Sequence, residues 1–322
     1  MSQIPITRRE FAALVAAGAV AVPATGSLAA PRRSSSRAVT ANEIVDRIKK
    51  NIGVEWKTET VDTVKAGDLS TVVTGVVTTS LATMAVLQQA VKAGANLIIT
   101  GAPTFYSRAD GRTPSAGRGG GGRGAVPGSA PAPPPPPPPA DPIFAAKNDF
   151  ITRNNLVVFR LSDHWRLRKP DPLAQGIGTA LGWTKYQVAG DVSRYDIPAI
   201  SLDALASGIK KTFNSRGGMR VVGDPQARIQ KVALLPGSTP ITSSLVALPG
   251  VDLVVAGEVR EWESAEYARD VVFSGQRKGF ILVGRLVSEE AGMTACAKWL
   301  ETVVPEVPVR HLPAGDPYWR PA

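Results

Sequence analysis

Apolar and polar positions along the chain fall into short, well-separated blocks. Residues 72–77 (VVTGVV) are an apolar, β-branched run of the kind that forms a buried strand. Leu81, Met84, Leu87 and Val91 follow at helical spacing, with hydroxyls at Thr78, Thr79 and Ser80 to cap a helix and Gly94 to stop it. A second buried strand is predicted over Leu97–Thr100. Such a strand–helix–strand unit demands parallel pairing with the helix laid across it. Ligands in open α/β sheets sit beyond the carboxyl ends of strands, so Gly101, Ala102 and Pro103 mark an expected functional edge. None of the three is ionisable.

The unit recurs at residues 231–258, where Pro249-Gly250 stands in the place of Ala93-Gly94 and VDLVVAGE aligns with NLIITGA. The pattern predicts an internal repeat and hence two pseudo-duplicated α/β lobes, their mixed or parallel sheets covered by helices, with an active cleft between them. The first lobe is expected over 41–200 and the second over 201–322. Helices are predicted at 40–51, 142–154, up to Gly182, at 204–212, around Tyr267 and from Ser288 through Leu300. Further strands are predicted at 156–161 and 279–284. Residues 56–67 and 186–200 read as connections. Four strand tips then converge, at 101–103, 162–165, 257–261 and 284–289.

Two segments stand outside this pattern. Thr7-Arg8-Arg9-Glu10-Phe11 precedes an alanine-rich apolar stretch, Ala12–Val22, and small residues through Ala30, which predicts a twin-arginine export signal over residues 1–30 and a polar linker over 31–40. The apolar stretch is too short for a membrane span, so a periplasmic or secreted protein with no transmembrane anchor is expected. Residues 108–142 hold a Gly/Arg tract and prolines 133–139, a composition that predicts a disordered insertion.

Composition narrows the chemistry. The 322 residues are 43% hydrophobic, an ordinary globular balance, and the net charge is +10. That charge suits an anionic partner. It is spread along the chain without interleaved aromatics, so a nucleic-acid partner, carried by Arg118 and Arg123, is the weaker expectation. A single cysteine, Cys296, excludes an intramolecular disulfide and reads as a buried hydrophobe. Two histidines, His164 and His311, are too few for a multi-histidine metal cage. Asp163 and His164 at one tip, and Glu258, Arg260, Glu261 and Glu263 at another, are the candidate polar groups.

In order along the chain, ANLIITGAPTFY, LVVFRLSDHWRLRKPD, VVAGEVREWE, GRLVSEEAGM and LPAGDPYW give the sequence a family resemblance. It resembles the Nif-three-like dinuclear metal centre proteins, the type 2 GTP cyclohydrolase I homologues, over roughly residues 41–319 apart from the insertion. The resemblance implies a toroidal hexamer, hence a homo-oligomer, and a site for two divalent metals between the lobes. Its metal-ligand positions fall on Gly101, Ala102, Asp163, Arg285 and Glu289. Only Asp163 and Glu289 keep metal-binding side chains. The centre is therefore expected to be largely dismantled, with an Asp163–Arg285 salt bridge filling the space and Arg285, with His164 and Glu258, left to hold a small anionic ligand. The alternative expectation is a metal-dependent hydrolase of a phosphate ester or nucleotide that works through Asp163, Glu289 and nearby carboxylates.

Overall fold

The computed structural model describes residues 38–107, 110, 141–215, 217–319 and 321. The expected export signal and most of its linker, the Arg/Gly tract and the proline run lie outside the described residues. Among the described residues no helix is long and apolar enough to cross a membrane.

Helix α1 (Ala41–Asn51) opens with a capping box. Thr40 Oγ1 accepts from the Glu43 N–H, and the Glu43 carboxylate accepts from the Thr40 N–H. The first repeat unit is β2 (Val76–Thr79), α2 (Met84–Lys92) and β3 (Leu97–Thr100), with β2 and β3 parallel. The strand starts four residues later than its apolar run and takes in Thr78 and Thr79, so the cap falls to Thr83. Strand β1 (Val64–Ala66) lies inside the expected connection 56–67 and pairs antiparallel with β4 (Val157–Arg160), which follows α3 (Pro142–Arg153). The 162–165 tip is not extended: Asp163–Leu167 form α4, followed by α5 (Pro172–Ala180).

The expected connection 186–200 instead contains β5 (Gln187–Val188) and the long strand β6 (Asp191–Ser201). Helix α6 (Leu202–Thr212) leads to β7 (Arg220–Val222). The second unit is β8 (Arg228–Ser238), α7 (Ile241–Ala247) and β9 (Leu253–Glu258), again parallel. Helix α8 (Glu266–Phe273), β10 (Gly279–Leu282), α9 (Arg285–Val303) and β11 (Val309–His311) complete the chain.

Two sheets result, ordered β1-β4-β3-β2-β11 and β5-β6-β8-β9-β10-β7. Their membership does not divide the chain at residue 200. β5 and β6 belong to the second sheet, and β11 returns to the first, parallel to β2. Helix α9 explains how both sheets share one body. Met293, Cys296 and Leu300 join the core against the first sheet, whereas Val287 joins the core of the second. A helix with apolar contacts on two sides carries no single hydrophobic stripe, and this one is buried as a spine between layers. It opens at Arg285, three residues earlier than expected, after Gly284 at φ 94°. Burial of Cys296 in this spine pushes its thiol well above the ordinary range, so it is an inert core residue.

Candidate functional site

Strands β8, β9 and β10 run parallel, and their carboxyl ends meet the amino terminus of α9. The chain approaches so closely here that only glycine fits at 257: a β-carbon would fall on the Gly237 carbonyl oxygen and 2.5 Å from Ser288 Oγ. Ser288 Oγ in turn accepts from the Gly237 N–H at 2.9 Å. This packing turns Glu289, on the next position of α9, inward.

Glu289 is 2% exposed and its Oε1 accepts from two guanidinium groups. Arg166, from the last turn of α4, makes a close ion pair with it, and Arg285 Nε donates at 3.2 Å from one helical turn back. Both arginines are about one-third exposed, at 34%. A β-carbon at Gly101 would lie 3.7 Å from Glu289 Oε2, so the first strand tip does reach this cluster. Two of the expected tips, 101–103 and 284–289, therefore meet at Glu289, and Arg166 reaches it from just beyond a third. The cluster holds two fixed cations and one carboxylate, a net positive charge.

Asp163 points elsewhere. Its Oδ2 accepts from Thr60 Oγ1 at 3.0 Å and the Val61 N–H at 3.2 Å. The expected Asp163–Arg285 bridge is thus replaced by Glu289–Arg285, because α4 carries Arg166 rather than Asp163 to the cluster. His164 is fully buried and stacked on Trp56, with ring centroids 3.8 Å apart. Its Nε2 accepts from the Lys57 N–H at 2.8 Å, which leaves Nδ1–H to donate to Asp62 at 2.8 Å. Both ring nitrogens are spent, so His164 is a structural group rather than a ligand. Asp62 also accepts from the N–H groups of Ser162, Asp163 and His164, and so fixes the start of α4. Asp62 and Arg166 escaped the sequence reading. For Arg166 a signal existed: helical rather than extended spacing across 163–167 puts it a turn away from Asp163.

A two-metal centre does not suit this donor set. Gly101 and Ala102 offer no side-chain donor, Arg285 brings fixed positive charge, Asp163 serves the 60–61 loop, and Glu289 is already paired with two guanidiniums. Among the described residues no group of three or more His, Cys, Asp and Glu side chains is gathered to hold a metal ion.

A cavity of about 650 Å³ opens at these strand ends. Arg285, Arg220, Glu258 and Glu261 line it, as do Gly284 and the amino-terminal residues of α9, and Tyr318 and Trp319 close one side. Arg220 is paired with Glu261, and Glu258 is exposed at the end of β9. No side chain caps α9, and Gly284, Arg285, Leu286 and Val287 all line the cavity, so the first turn of a 19-residue helix lies at its wall without a side-chain cap. Asp316 also lines the cavity. Burial would raise its carboxyl, but the N–H groups of Gly218, Tyr318 and Gly217 and the Ser215 hydroxyl outweigh that and hold it at about 2.

The other tip is shut. Beyond β3, Lys147 of α3 is fully buried and donates to the Thr104 carbonyl at 2.6 Å. Burial lowers its ammonium to about 8, although Asp110 opposes the shift. Asp110 Oδ1 accepts from the Phe105 N–H at 2.9 Å, and its Oδ2 pairs with Arg160 and Lys65.

The fold and site together define a two-sheet α/β protein with a basic cluster on its spine helix. The Duf34/NIF3 (NGG1p interacting factor 3) family model matches residues 169–314, which cover β5 to β11, and over that stretch the chain is similar to that family. Solved structures share the fold. The Staphylococcus aureus protein SA1388 superposes with a TM-score of 0.61 at 13% identity, covering 88% of this chain and 99% of its own. A Bacillus cereus protein related to NIF3 gives 0.58 at 15% over 88% and 100%, and protein ybgI, described as of unknown function, gives 0.61 at 18% over 87% and 100%. No curated protein sequence matches the chain.

Proposed function

We propose that this chain is a Duf34/NIF3-family protein that binds a small anion in the cavity at the carboxyl ends of β9 and β10, without a metal pair. One observation carries the reading: the Arg285 side chain and the uncapped amino terminus of α9 open onto the same cavity. Helix N–H groups and the helix dipole favour negative charge there. Arg285 adds a planar donor array of which only Nε is spent on Glu289. Arg166 shares Glu289, so the carboxylate does not cancel the positive field by itself. Glu258 lines the same cavity and favours a ligand that carries hydrogen-bond donors beside its anionic group. The reading includes export by the amino-terminal twin-arginine segment, which rests on the pattern of residues 7–30, and assembly with further copies of the chain, which rests on the family resemblance.

Titration calorimetry with inorganic phosphate, at low and at 0.5 M chloride, tests it. Saturable binding that weakens with salt is expected. Arg285→Ala should weaken it about tenfold, or about 1.4 kcal/mol, and Arg285→Lys should restore part of the loss, since lysine returns the charge without the fork. No binding by the unaltered protein, or unchanged binding in Arg285→Ala, overturns the proposal. Elemental analysis of protein purified without chelator decides between this reading and the metal-dependent alternative. Stoichiometric metal that disappears in Asp163→Ala would replace this reading with the hydrolase.

A further inference from the structure

A second, larger cavity of about 860 Å³ lies on the other side of the carboxyl-terminal strap, between α5, α9 and the end of α6. Its floor follows from small residues. Gly176 packs against the backbone of Ala291, where a β-carbon would lie 2.7 Å from the Ala291 carbonyl carbon, so α5 and α9 touch almost backbone to backbone. Ala180, Ala291 and Ala295 continue the trough with side chains too short to fill it. Phe213 walls one end and Pro313 of the strap the other. The volume is in the range that encloses a small organic molecule.

The charges that face the cavity select among ligands. Glu290 and Asp316 both line it, but Glu290 Oε1 and both Asp316 oxygens are already served by the protein, and Glu290 Oε2 is buried against His311 without a hydrogen bond. Glu290 Oε1 accepts from Ser80 Oγ at 2.8 Å and the Ala314 N–H at 2.7 Å, and its Oε2 lies 3.0 Å from His311 Nε2. Asp316 accepts from Ser215 Oγ and from the N–H groups of Gly217, Gly218 and Tyr318. These two carboxylates hold the strap down. Neither is left to attract a cation, and both repel a multiply charged anion. Lys298 is different: it lines the cavity and has no ion-pair or hydrogen-bond partner among the described residues. Gln175 and Asn214 add neutral amide groups at the rim.

We infer that this cavity is a second ligand site, separate from the one beside Arg285, and that it takes a monoanionic organic acid: an apolar body in the alanine-lined trough and a carboxylate at Lys298. A dianion such as phosphate suits it poorly, because one lysine faces two carboxylates across the strap. The two cavities share Asp316 and Val287 in their walls, but Lys298 lines only this one and Arg285 only the other, so either site can fail alone.

Calorimetry of the full chain with decanoate, and with the neutral analogue decanamide, tests the inference. Decanoate should bind saturably and more tightly than decanamide. Lys298→Met should weaken decanoate about fivefold, the worth of a partly exposed ion pair, and leave decanamide unchanged. Ala180→Trp, at an exposed position on the rim, should abolish both while leaving the melting temperature near its original value. Phosphate binding should persist in both variants. The site is overturned if the unaltered protein binds no decanoate, or if Lys298→Met and Ala180→Trp bind it as the unaltered protein does. Loss of decanoate binding in Arg285→Ala overturns it as well, since the ligand would then lie in the other cavity.

Discussion

In the unit Val76–Thr100, the chain beyond the second strand runs into packed protein. Gly101 and Ala102 are buried, and the buried Lys147 ammonium clasps the Thr104 carbonyl. In the unit Arg228–Glu258, the same strand–helix–strand path ends at a solvent-facing Glu258 and a cavity lined by Arg285. The backbone logic is shared, since both pairs of strands are parallel and both units lay one face against α9. Topology therefore fixes where a site can form, and a few tip residues decide whether one does. At the first tip the charge is turned inward to hold a loop. At the second it is turned outward, with Glu289 as the anchor that keeps two guanidiniums in place.

The contrast is broken most severely by adding one methyl group. Gly257→Ala drives a β-carbon into the Gly237 carbonyl and Ser288 Oγ, so β9 and β8 must separate at the mouth of the cavity. A loss of about 3 kcal/mol or more in urea denaturation is expected. Gly101→Ala meets Met293 Sδ at 3.3 Å, with the Ser80 carbonyl oxygen and Glu289 Oε2 at ordinary contact distance, and should cost less than about 1 kcal/mol. Equal costs would mean that the two tips are packed alike.

Lys147 supplies the next largest effect, read through pH. Burial lowers its ammonium from the ordinary 10.5 to about 8 in the folded protein, against a smaller opposing pull from Asp110. Between those values the unfolded chain holds a proton that the native protein does not, so stability rises with pH across the window. Below about pH 8 the native state bears the full cost of a buried ammonium. The rise from pH 8 to pH 10.5 should be about 3 kcal/mol. Lys147→Met should remove that increment, whatever it does to stability at a single pH. An identical pH slope in both proteins would show that Lys147 is hydrated rather than sealed at the first tip.

The parts legible in the sequence were those set by local patterning. Apolar β-branched runs gave β3, β9 and β10, and the helix expected over 40–51 is α1. Strand β6 was hidden because most of its residues are half-buried or exposed and Pro198 interrupts it, so tertiary pairing with β8 makes the strand. Helix α4 was hidden because its cap comes from Asp62, about a hundred residues upstream, which no local window contains. The same distance problem separates Arg166 from Glu289. Arg285 and Glu289 were both singled out, but their mutual pairing was not, since the helix was expected to open at Ser288 and so to leave Arg285 outside it. Once the helix begins at Arg285, the two residues stand one turn apart and the pair follows.

Glu289→Gln sharpens the comparison at its centre. The amide keeps the size of the side chain and can accept a hydrogen bond, but it removes the charge that Arg166 and Arg285 share. Two guanidiniums then face each other across a neutral group, and because each is about one-third exposed at 34%, water relieves part of the repulsion. The expected loss is about 2 kcal/mol, below the penalty for a fully buried unpaired charge. The same change removes the competitor for an incoming anion. Phosphate affinity should therefore rise by a few-fold as stability falls, about 0.5–1 kcal/mol of tighter binding. Opposite movement of the two quantities is what a clamp predicts: the carboxylate stabilises the fold with the same charges that the cavity needs for its ligand. If stability and phosphate affinity fall together, Glu289 positions Arg285 for the ligand rather than competing with it, and the second tip owes its charge to geometry more than to an excess of cations.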